Sequence, residues 1–499
     1  MPELTLFSSG VASSVFARRA GAAALCALLL TGCASPGTLA DSRAAPPTTA
    51  EAPRNVILFL GDGMGISTIT AARIYAGQKL GKDGESHALS FEAFEHLALI
   101  KTYNTDLQVP DSAGTMSSII TGHKTRAGVI SVGAEPARGD CAAALEASLP
   151  TLLEEAEIAG YRSGLISTAR ITHATPAATY AHSPDRDWED DSSVPAAAAE
   201  AGCVDIARQL VEFPAGDGVD LILGGGRANF MATGTADPEY GKPLGRRLDG
   251  ADLIAQWQGE GADRRYAWNR QQWLAAMAEA TPGRSQVLGL FEPSHLQWEA
   301  DRNQEAEPSL AEMTAAAIDF LSADNEQGYF LLVEGGRIDH AHHYGNAYRA
   351  LEDTVALDAA VATALERVDL ANTLIVVTAD HSHTLTISGY PRRGNPILGK
   401  VTLADGRFLP DEEGRPYTTL SYANGPGARG AFPDLTDVDT GALDYQQRAT
   451  VPMPAETHAG EDVAAYATGP TAELLGGVME QNEIYGVLRA GLFGQRGER

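Results

Sequence analysis

Short apolar runs in this chain end repeatedly in acidic and histidine residues. The run Val56–Leu60 leads into Gly61, Asp62, Gly63, Met64 and Gly65, and Leu374–Val377 leads into Thr378, Ala379, Asp380 and His381. Phe330–Val333 leads into Glu334, Gly335, Gly336, Arg337, Ile338, Asp339, His340, Ala341, His342 and His343, while His458 stands in a loop between Glu456 and Asp462. Asp339 and His343 are four residues apart, so on a helix they share a face and can grip one ion. Each segment also has a plainer reading: a turn at Asp62, a solvated helix start at His340 to His343, a structural histidine at His458. Taken together, Asp62, Glu334, Asp339, His343, Asp380, His381 and His458 offer mixed nitrogen and oxygen ligands for more than one divalent cation. Imidazole with carboxylate suits zinc, and carboxylates with hydroxyls suit magnesium. Two metals about 4 Å apart can clamp the attacking and leaving oxygens of an in-line phosphoryl displacement.

Such a site needs a nucleophile, and the candidate is Ser112 in Val109, Pro110, Asp111, Ser112, Ala113, Gly114, Thr115, with a helical pattern running on through Thr121. A serine at a helix N-terminus feels the positive end of the dipole, and a bound zinc lowers the pKa of the alkoxide further. A plain N-cap is the alternative reading of the same residues.

The elements that position these residues read as an α/β fold. The buried runs Val56–Leu60, Ser163–Ile166, Leu221–Leu223, Phe330–Val333 and Leu374–Val377 alternate with helical patterns at Pro150–Ala159, Pro195–Val211, Ser309–Leu321 and Ala347–Val368. This predicts a large, mostly parallel central sheet with helices on both faces, and in such sheets ligands bind beyond the carboxyl ends of the strands. From Gly389 to Pro452 the pattern weakens into Gly, Pro and polar residues, which suggests a small inserted subdomain covering one face. No solenoid repeat and no second transmembrane candidate is visible.

The chain of 499 residues has 37 Lys+Arg against 65 Asp+Glu, a formal charge of −28 that excludes a basic nucleic-acid coat. No nucleic-acid partner is expected, and an anionic substrate must meet positive charge supplied locally by metals, single arginines or helix ends. Arg18 and Arg19 precede an apolar run, Ala20–Leu30, too short to span a bilayer and shaped like a signal peptide, so export is expected. Leu30, Thr31, Gly32, Cys33 and Ala34 resemble the lipobox of bacterial lipoproteins; an ordinary secretory cleavage further on is the alternative. The expected organisation is a lipoprotein signal over residues 1–32, a flexible Ala/Pro/Thr-rich tether over 33–54, and a catalytic domain over 55–499. Membrane attachment would come only from a lipid on Cys33, at the periplasmic face of the outer membrane or at the cell surface. Cys141 and Cys203 then remain as a pair in an oxidising compartment, forming either a disulfide worth about 4 kcal/mol in the chain-entropy model or two buried thiols.

The motifs in Asn55–Gly65, Val109–Thr115, Thr172–Trp188, Leu221–Gly226, Leu290–Pro293, Val333–His343, Thr378–His383 and Glu456–Val463 together resemble the alkaline phosphatase family, nearer the animal enzymes than the enteric bacterial type, from about Asn55 to Leu488. The resemblance implies phosphate monoester hydrolysis through a phosphoserine at Ser112. It implies one zinc held by Asp339, His343 and His458 that serves the water of the second step, and another held by Asp62, Asp380 and His381 beside the Ser112 oxygen. Magnesium would take Asp62, Thr175 and Glu334; Arg186 would clasp phosphate and Asp111 would orient it. His173 and His340 stand where the animal enzymes also carry histidines, His173 acting through a magnesium-bound water. The spacing of Cys141 and Cys203 is similar to that of a disulfide in the animal branch.

A calcium site of that branch would correspond to Glu239, Phe291 by its carbonyl, Glu292 and Glu307, but Glu307 stands where the animal pattern has Asp, and surface acids are the alternative. A homodimer is implied, although a Pro-rich tether occupies the place of the N-terminal helix that embraces the neighbouring animal subunit. The insertion at about 389–452 resembles the crown subdomain of those enzymes. Rival readings are a phosphodiesterase or another two-metal hydrolase of the same superfamily, and a non-catalytic phosphate-binding lipoprotein.

Overall fold

Apolar runs flanked by glycine and turn residues become the central strands, because a parallel strand covered on both faces needs side chains that are apolar on both. The computed structural model of the protein describes residues 55–261, 263–430 and 432–494; the expected signal segment, Cys33 and tether lie outside the described residues. In chain order the strands are β1 (Asn55–Gly61), β2 (His96–Lys101), β3 (Arg162–Arg170), β4 (Leu221–Gly225), β5 (Arg264–Ala267), β6 (Gln286–Leu290), β7 (Tyr329–Gly335), β8 (Thr373–Ala379), β9 (Ser382–His383), β10 (Leu385–Ile387), β11 (Leu420–Gly425), β12 (Ala449–Pro452), β13 (His458–Ala459), β14 (Val463–Thr468) and β15 (Gly477–Glu480). Ten of them form one sheet in the order β15-β2-β14-β8-β1-β7-β3-β4-β6-β5. All pairs are parallel except those that β14 makes with β2 and β8.

Two sets of helices pack on this sheet. The helices Leu310–Ser322 and Ala347–Arg367 contact each other and the central strands, and Glu483–Phe493 contacts β1 and β8 together with the helices Ser112–Thr121 and Leu152–Ile158. The helix starts are set by local chemistry. Ser309 accepts from the Glu312 amide and Glu312 returns a bond to the Ser309 amide, which places the start one residue inside the expected span. Thr151 and Glu154 do the same for Leu152–Ile158, so Pro150 lies before the cap and not, as its type suggests, at the first helical position. The single helix expected over Pro195–Val211 is two, Ala196–Glu200 and Ile206–Val211. Gly202, at φ +100°, ends the first, and Asp205 caps the second through the Arg208 amide.

The segment from β10 to β12 forms its own three-stranded sheet, β10-β11-β12, starting at Leu385, a few residues earlier than the pattern change at Gly389. The pair β9–β13 joins the β8 tip to the loop carrying His458. Cys141 and Cys203 are disulfide-bonded, and with Trp188 and Ala198 they form a small separate core.

At the beginnings of β3 and β4, Glu157 meets the Ser163 hydroxyl and Asp220 accepts from the Ser163 amide at 2.9 Å. Burial first, then the charges of Asp220 and Asp217, pushes Glu157 up to about 9, and burial with Asp217 pushes Asp220 up to about 7. Both folded-state values lie above those of the unfolded chain, so the stability these groups contribute is complete in acid and is lost as pH rises through about 7 and then about 9. Glu157→Gln, which keeps the shape of the protonated side chain, is therefore expected to raise the melting temperature by about 2–5 °C at pH 10 and to leave it nearly unchanged at pH 5. Thermal melts of both proteins across that range check this, and an equal shift at both ends would contradict it.

Candidate active site

The register of four adjacent strands, β8-β1-β7-β3, gathers the predicted residues at their carboxyl ends. Gly61 pairs with Gly335 on one side and Ala379 on the other, so Asp62 and Asp380 emerge next to each other, with Glu334 opposite Leu60 and Ser167. Gly63 turns the chain back at φ +69° and donates its amide to Asp380 Oδ1 at 3.0 Å. A Cβ there would come within 2.4 Å of the His383 ring, so only glycine fits the turn. The helix Ser112–Thr121 brings its first residue to the same place: Asp111 caps it by accepting from the Gly114 amide at 3.1 Å, and Gly122 ends it in the left-handed region. Ser112 Oγ, 2% exposed as a residue, lies 3.2 Å from Asp62 Oδ1 and 3.1 Å from His381 Nε2.

The second cluster centres on Asp339, whose Oδ1 lies 3.3 Å from His343 Nε2, 3.3 Å from His458 Nε2 and 2.8 Å from His383 Nε2. The ring orientations show what these imidazoles can do. His343 Nδ1 faces the Glu456 carbonyl at 2.5 Å, His458 Nδ1 faces the Pro110 carbonyl at 2.8 Å, and His381 Nδ1 faces the Ser382 carbonyl at 3.3 Å. A carbonyl only accepts, so each Nδ1 carries the proton and each Nε2 presents a lone pair to the carboxylates. Burial holds His343 and His381 below the ordinary imidazole range, which keeps them neutral.

Around Glu334 the third cluster assembles. The Ser167 hydroxyl donates to Glu334 Oε2, while Glu334 Oε1, Asp62 Oδ2 and Thr175 Oγ1 are buried with no hydrogen-bond partner. Burial and the charges of Asp380 and Asp339 push Glu334 up to about 8, and burial with Asp380, Asp339 and Glu334 raises Asp62 well above the carboxylate range. Burial also acts to raise Asp339, but the charged His383 imidazole, which donates to Oδ1, holds it well below that range. Oxygens crowded together in the interior with too few donors to meet them fit a divalent cation better than they fit each other. The ligand atoms of Asp62, Asp380 and His381 lie within 4.8 Å of one another, as do those of Asp62, His173 and Glu334, and those of Asp339, His381, His383 and His458. Beside them Arg186 donates from Nη1 to Asp111 Oδ2 at 3.1 Å, and its Nη2 is 3.0 Å from His173 Nε2.

The family model described as alkaline phosphatase matches residues 53–492. The chain belongs to the alkaline phosphatase family. It is 46% identical over 441 residues to the tissue-nonspecific alkaline phosphatase of Gallus gallus, covering 86% of this chain and 83% of that one. It is 44% identical over 440 residues to the alkaline phosphatase of Gadus morhua, covering 86% of this chain and 90% of the relative. The solved alkaline phosphatase of Thermus thermophilus shares the fold at a TM-score of 0.62 and 23% identity, with 91% of this chain and 93% of that chain covered. That of the Antarctic bacterium TAB5 does so at a TM-score of 0.60 and 22% identity, with 89% and 99% covered.

The other expected site residues are placed less uniformly. His340 is in ring contact with His173 and His295, the centroids 5.4 and 4.0 Å away. Of the residues expected to hold calcium, Glu239 is tied to Arg227 at 2.7 Å, Glu292 accepts from Tyr240 and Gln297, and Glu307 accepts from the Gln297 amide. Phe291 is buried at the end of β6. Among the described residues, Glu239, Glu292 and Glu307 do not gather at ligand distance as the three clusters do. A cavity of 770 Å3 lies in the inserted segment around Tyr417, Phe432 and Arg448, and Ser112 is not among the residues that line it.

Sequence reasoning missed His383 and Glu456. His383 Nδ1 meets Glu456 Oε2 at 2.5 Å, and Glu456 Oε1 accepts from the Thr384 amide and hydroxyl, each at 2.6 Å. Burial opposes its charge, yet the two carboxylates push His383 up to about 10, so it donates from both nitrogens and holds Asp339 in place; it has no lone pair for a metal. His383 only ends a motif in the sequence, and its partner is 73 residues away, so no spacing marks the pair.

Proposed function

We propose that the enzyme hydrolyses phosphate monoesters through a covalent phosphoserine on Ser112. The observation that carries this reading is the placement of Ser112 Oγ at a buried helix N-terminus, within 3.2 Å of Asp62 and 3.1 Å of His381, with Arg186 bonded to the preceding residue, Asp111. In the first step Ser112 Oγ gives up its proton to solvent and attacks phosphorus in line, the bond to the alcohol oxygen breaks, and the alcohol leaves with a proton from solvent. In the second, water attacks the same phosphorus from the vacated side, the bond to Ser112 Oγ breaks, the serine regains its proton and inorganic phosphate leaves, with net retention at phosphorus. Arg186 donates to two phosphate oxygens, its guanidinium plane held by Asp111 and His173.

Asp62, Asp380 and His381 are the proposed ligands of one zinc, Asp339, His343 and His458 of another, and Asp62, Thr175 and Glu334 of magnesium. Cations bound there supply charge that offsets the negative charge gathering on the attacking and departing oxygens. One solved relative, a variant of the TAB5 alkaline phosphatase, is described with Mg bound. Export with lipidation at Cys33 and a homodimer complete the proposal. No helix among the described residues is long and apolar enough to cross a membrane, and mass spectrometry of the mature N-terminus tests the lipid.

Hydrolysis of a chromogenic monoester and the matching diester, with zinc and magnesium and then with a chelator, tests the reaction. Fast monoester turnover that the chelator abolishes supports it; preference for the diester, or binding of phosphate without turnover, assigns the site to one of the rival activities. Arg186→Ala is expected to raise KM and the inhibition constant of inorganic phosphate by about 10- to 100-fold while kcat falls less. Equal losses in kcat and kcat/KM would show that Arg186 acts only in the transition state.

A further inference from the structure

We propose that Arg138 is a positioning residue for phosphate binding: by occupying the two carboxylates that flank Arg186, it keeps the Arg186 guanidinium free for substrate. The inference rests on the phosphate-clasping role given to Arg186 above.

Arg186 lies between two acidic neighbours, Asp185 and Asp187. A carboxylate left without a partner at either position is free to turn to that guanidinium and compete with phosphate for it. Arg138 prevents this from a segment 47 residues away in sequence. Its Nη2 donates to Asp185 Oδ1 at 2.7 Å and to Asp187 Oδ2 at 2.6 Å. The same guanidinium lies against Gly128, where a Cβ would come within 2.6 Å of Nη1. The Gly128 carbonyl in turn accepts from the Arg186 amide at 2.9 Å. Arg138 thus touches both sides of the loop that carries Arg186, and Asp111, the partner of Arg186, is close enough to add to the forces that keep Arg138 charged.

Arg138 has this role without being needed for the fold. Its side chain is 43% exposed, and an ion pair of that kind contributes little to stability. The two segments are also joined by backbone bonds, Ile130 with Ser183 in both directions at 2.9 Å and the Gly139 amide to the Pro184 carbonyl at 2.9 Å, with the Cys141–Cys203 disulfide just beyond. Arg138→Ala should therefore fold, leaving the two carboxylates next to Arg186 in the chain without their cation.

The test measures kcat, KM and the inhibition constant of inorganic phosphate for the metal-loaded enzyme. Arg138→Ala is expected to raise KM and that constant about tenfold with kcat within about twofold. Adding Asp185→Asn and Asp187→Asn is expected to restore both, because nothing is left to compete with phosphate; a residue that only propped up the loop would not be rescued by deleting its partners. In an Arg186→Ala background, Arg138→Ala should change the constant by less than about twofold. If Arg138→Ala does not fold, Arg138→Gln carries the same comparison. Unchanged phosphate affinity in Arg138→Ala while Arg186→Ala weakens it overturns the positioning role alone, and so does failure of the two Asn substitutions to rescue. Unchanged affinity in both arginine variants overturns the clasp on which the inference rests.

Discussion

Ser112→Ala is expected to lower kcat for a phosphate monoester by about three powers of ten or more, with the protein still folded and still able to bind phosphate. The reason lies in how the hydroxyls of its helix are used. Thr115 Oγ1 donates to the Asp111 carbonyl at 2.9 Å, Ser117 to the Val129 carbonyl at 3.2 Å, Ser118 to the Gly114 carbonyl at 2.8 Å and Thr121 to the Ser117 carbonyl at 2.7 Å. Each of these is already spent on a carbonyl and would have to give up that bond to turn toward a substrate. Ser112 Oγ faces Asp62 and His381 instead, so no neighbouring hydroxyl replaces it. The cap is untouched by the substitution, because Asp111 supplies it. Two measurements check the expectation: steady-state turnover, and acid-quench trapping of label from a phosphate ester, which should appear on the wild-type protein and vanish from the variant. Turnover within tenfold of wild type would remove the covalent step from the reaction and leave direct attack by water.

The parts of the site legible in the sequence are those that follow continuous apolar runs. β1, β7 and β8 are buried along nearly their whole length, so Asp62, Glu334, Asp380 and His381 could be assigned to strand ends before any pairing was known. β2 and β15 carry exposed residues such as Leu97, Leu99 and Val478 at the sheet's edge, and their short mixed patterns do not stand out. β14 runs antiparallel between β2 and β8, a placement only the sheet itself reveals. The break between the two helices in 195–211 follows from Gly202 and Asp205, which a continuous run of helix formers on either side conceals. The same limit governs side chains: Asp339 and His343 are a helical pair readable from spacing, whereas the bond from His383 to Glu456 and the hold of Arg138 on Asp185 and Asp187 exist only because distant segments fold together. Position on an element is local information, and the orientation of a buried ring is not.

Removal of metal is expected to abolish activity and to lower the melting temperature by about 10 °C or more, and Asp62→Ala is expected to do the most damage of any single ligand substitution. Asp62, Glu334, Asp339 and Asp380 are all buried close to one another, and His383 is an imidazole held charged against Asp339. A folded protein that lacks cations must either protonate carboxylates here or tolerate like charges in a low-dielectric interior, and both cost stability at neutral pH. Asp62 belongs to two of the clusters, with Asp380 and His381 and again with His173 and Glu334, so its loss weakens two sites together. His458 enters the clusters through Asp339 and not through Asp62. Elemental analysis after dialysis should then show about two equivalents of metal missing from Asp62→Ala and about one from His458→Ala, with melting temperatures in the same order. Chelated wild-type protein should regain both activity and melting temperature on addition of zinc with magnesium. Full metal content in Asp62→Ala would remove Asp62 from the ligands, and a chelated protein that melts where the loaded one does would mean that these buried oxygens are neutralised by protons alone.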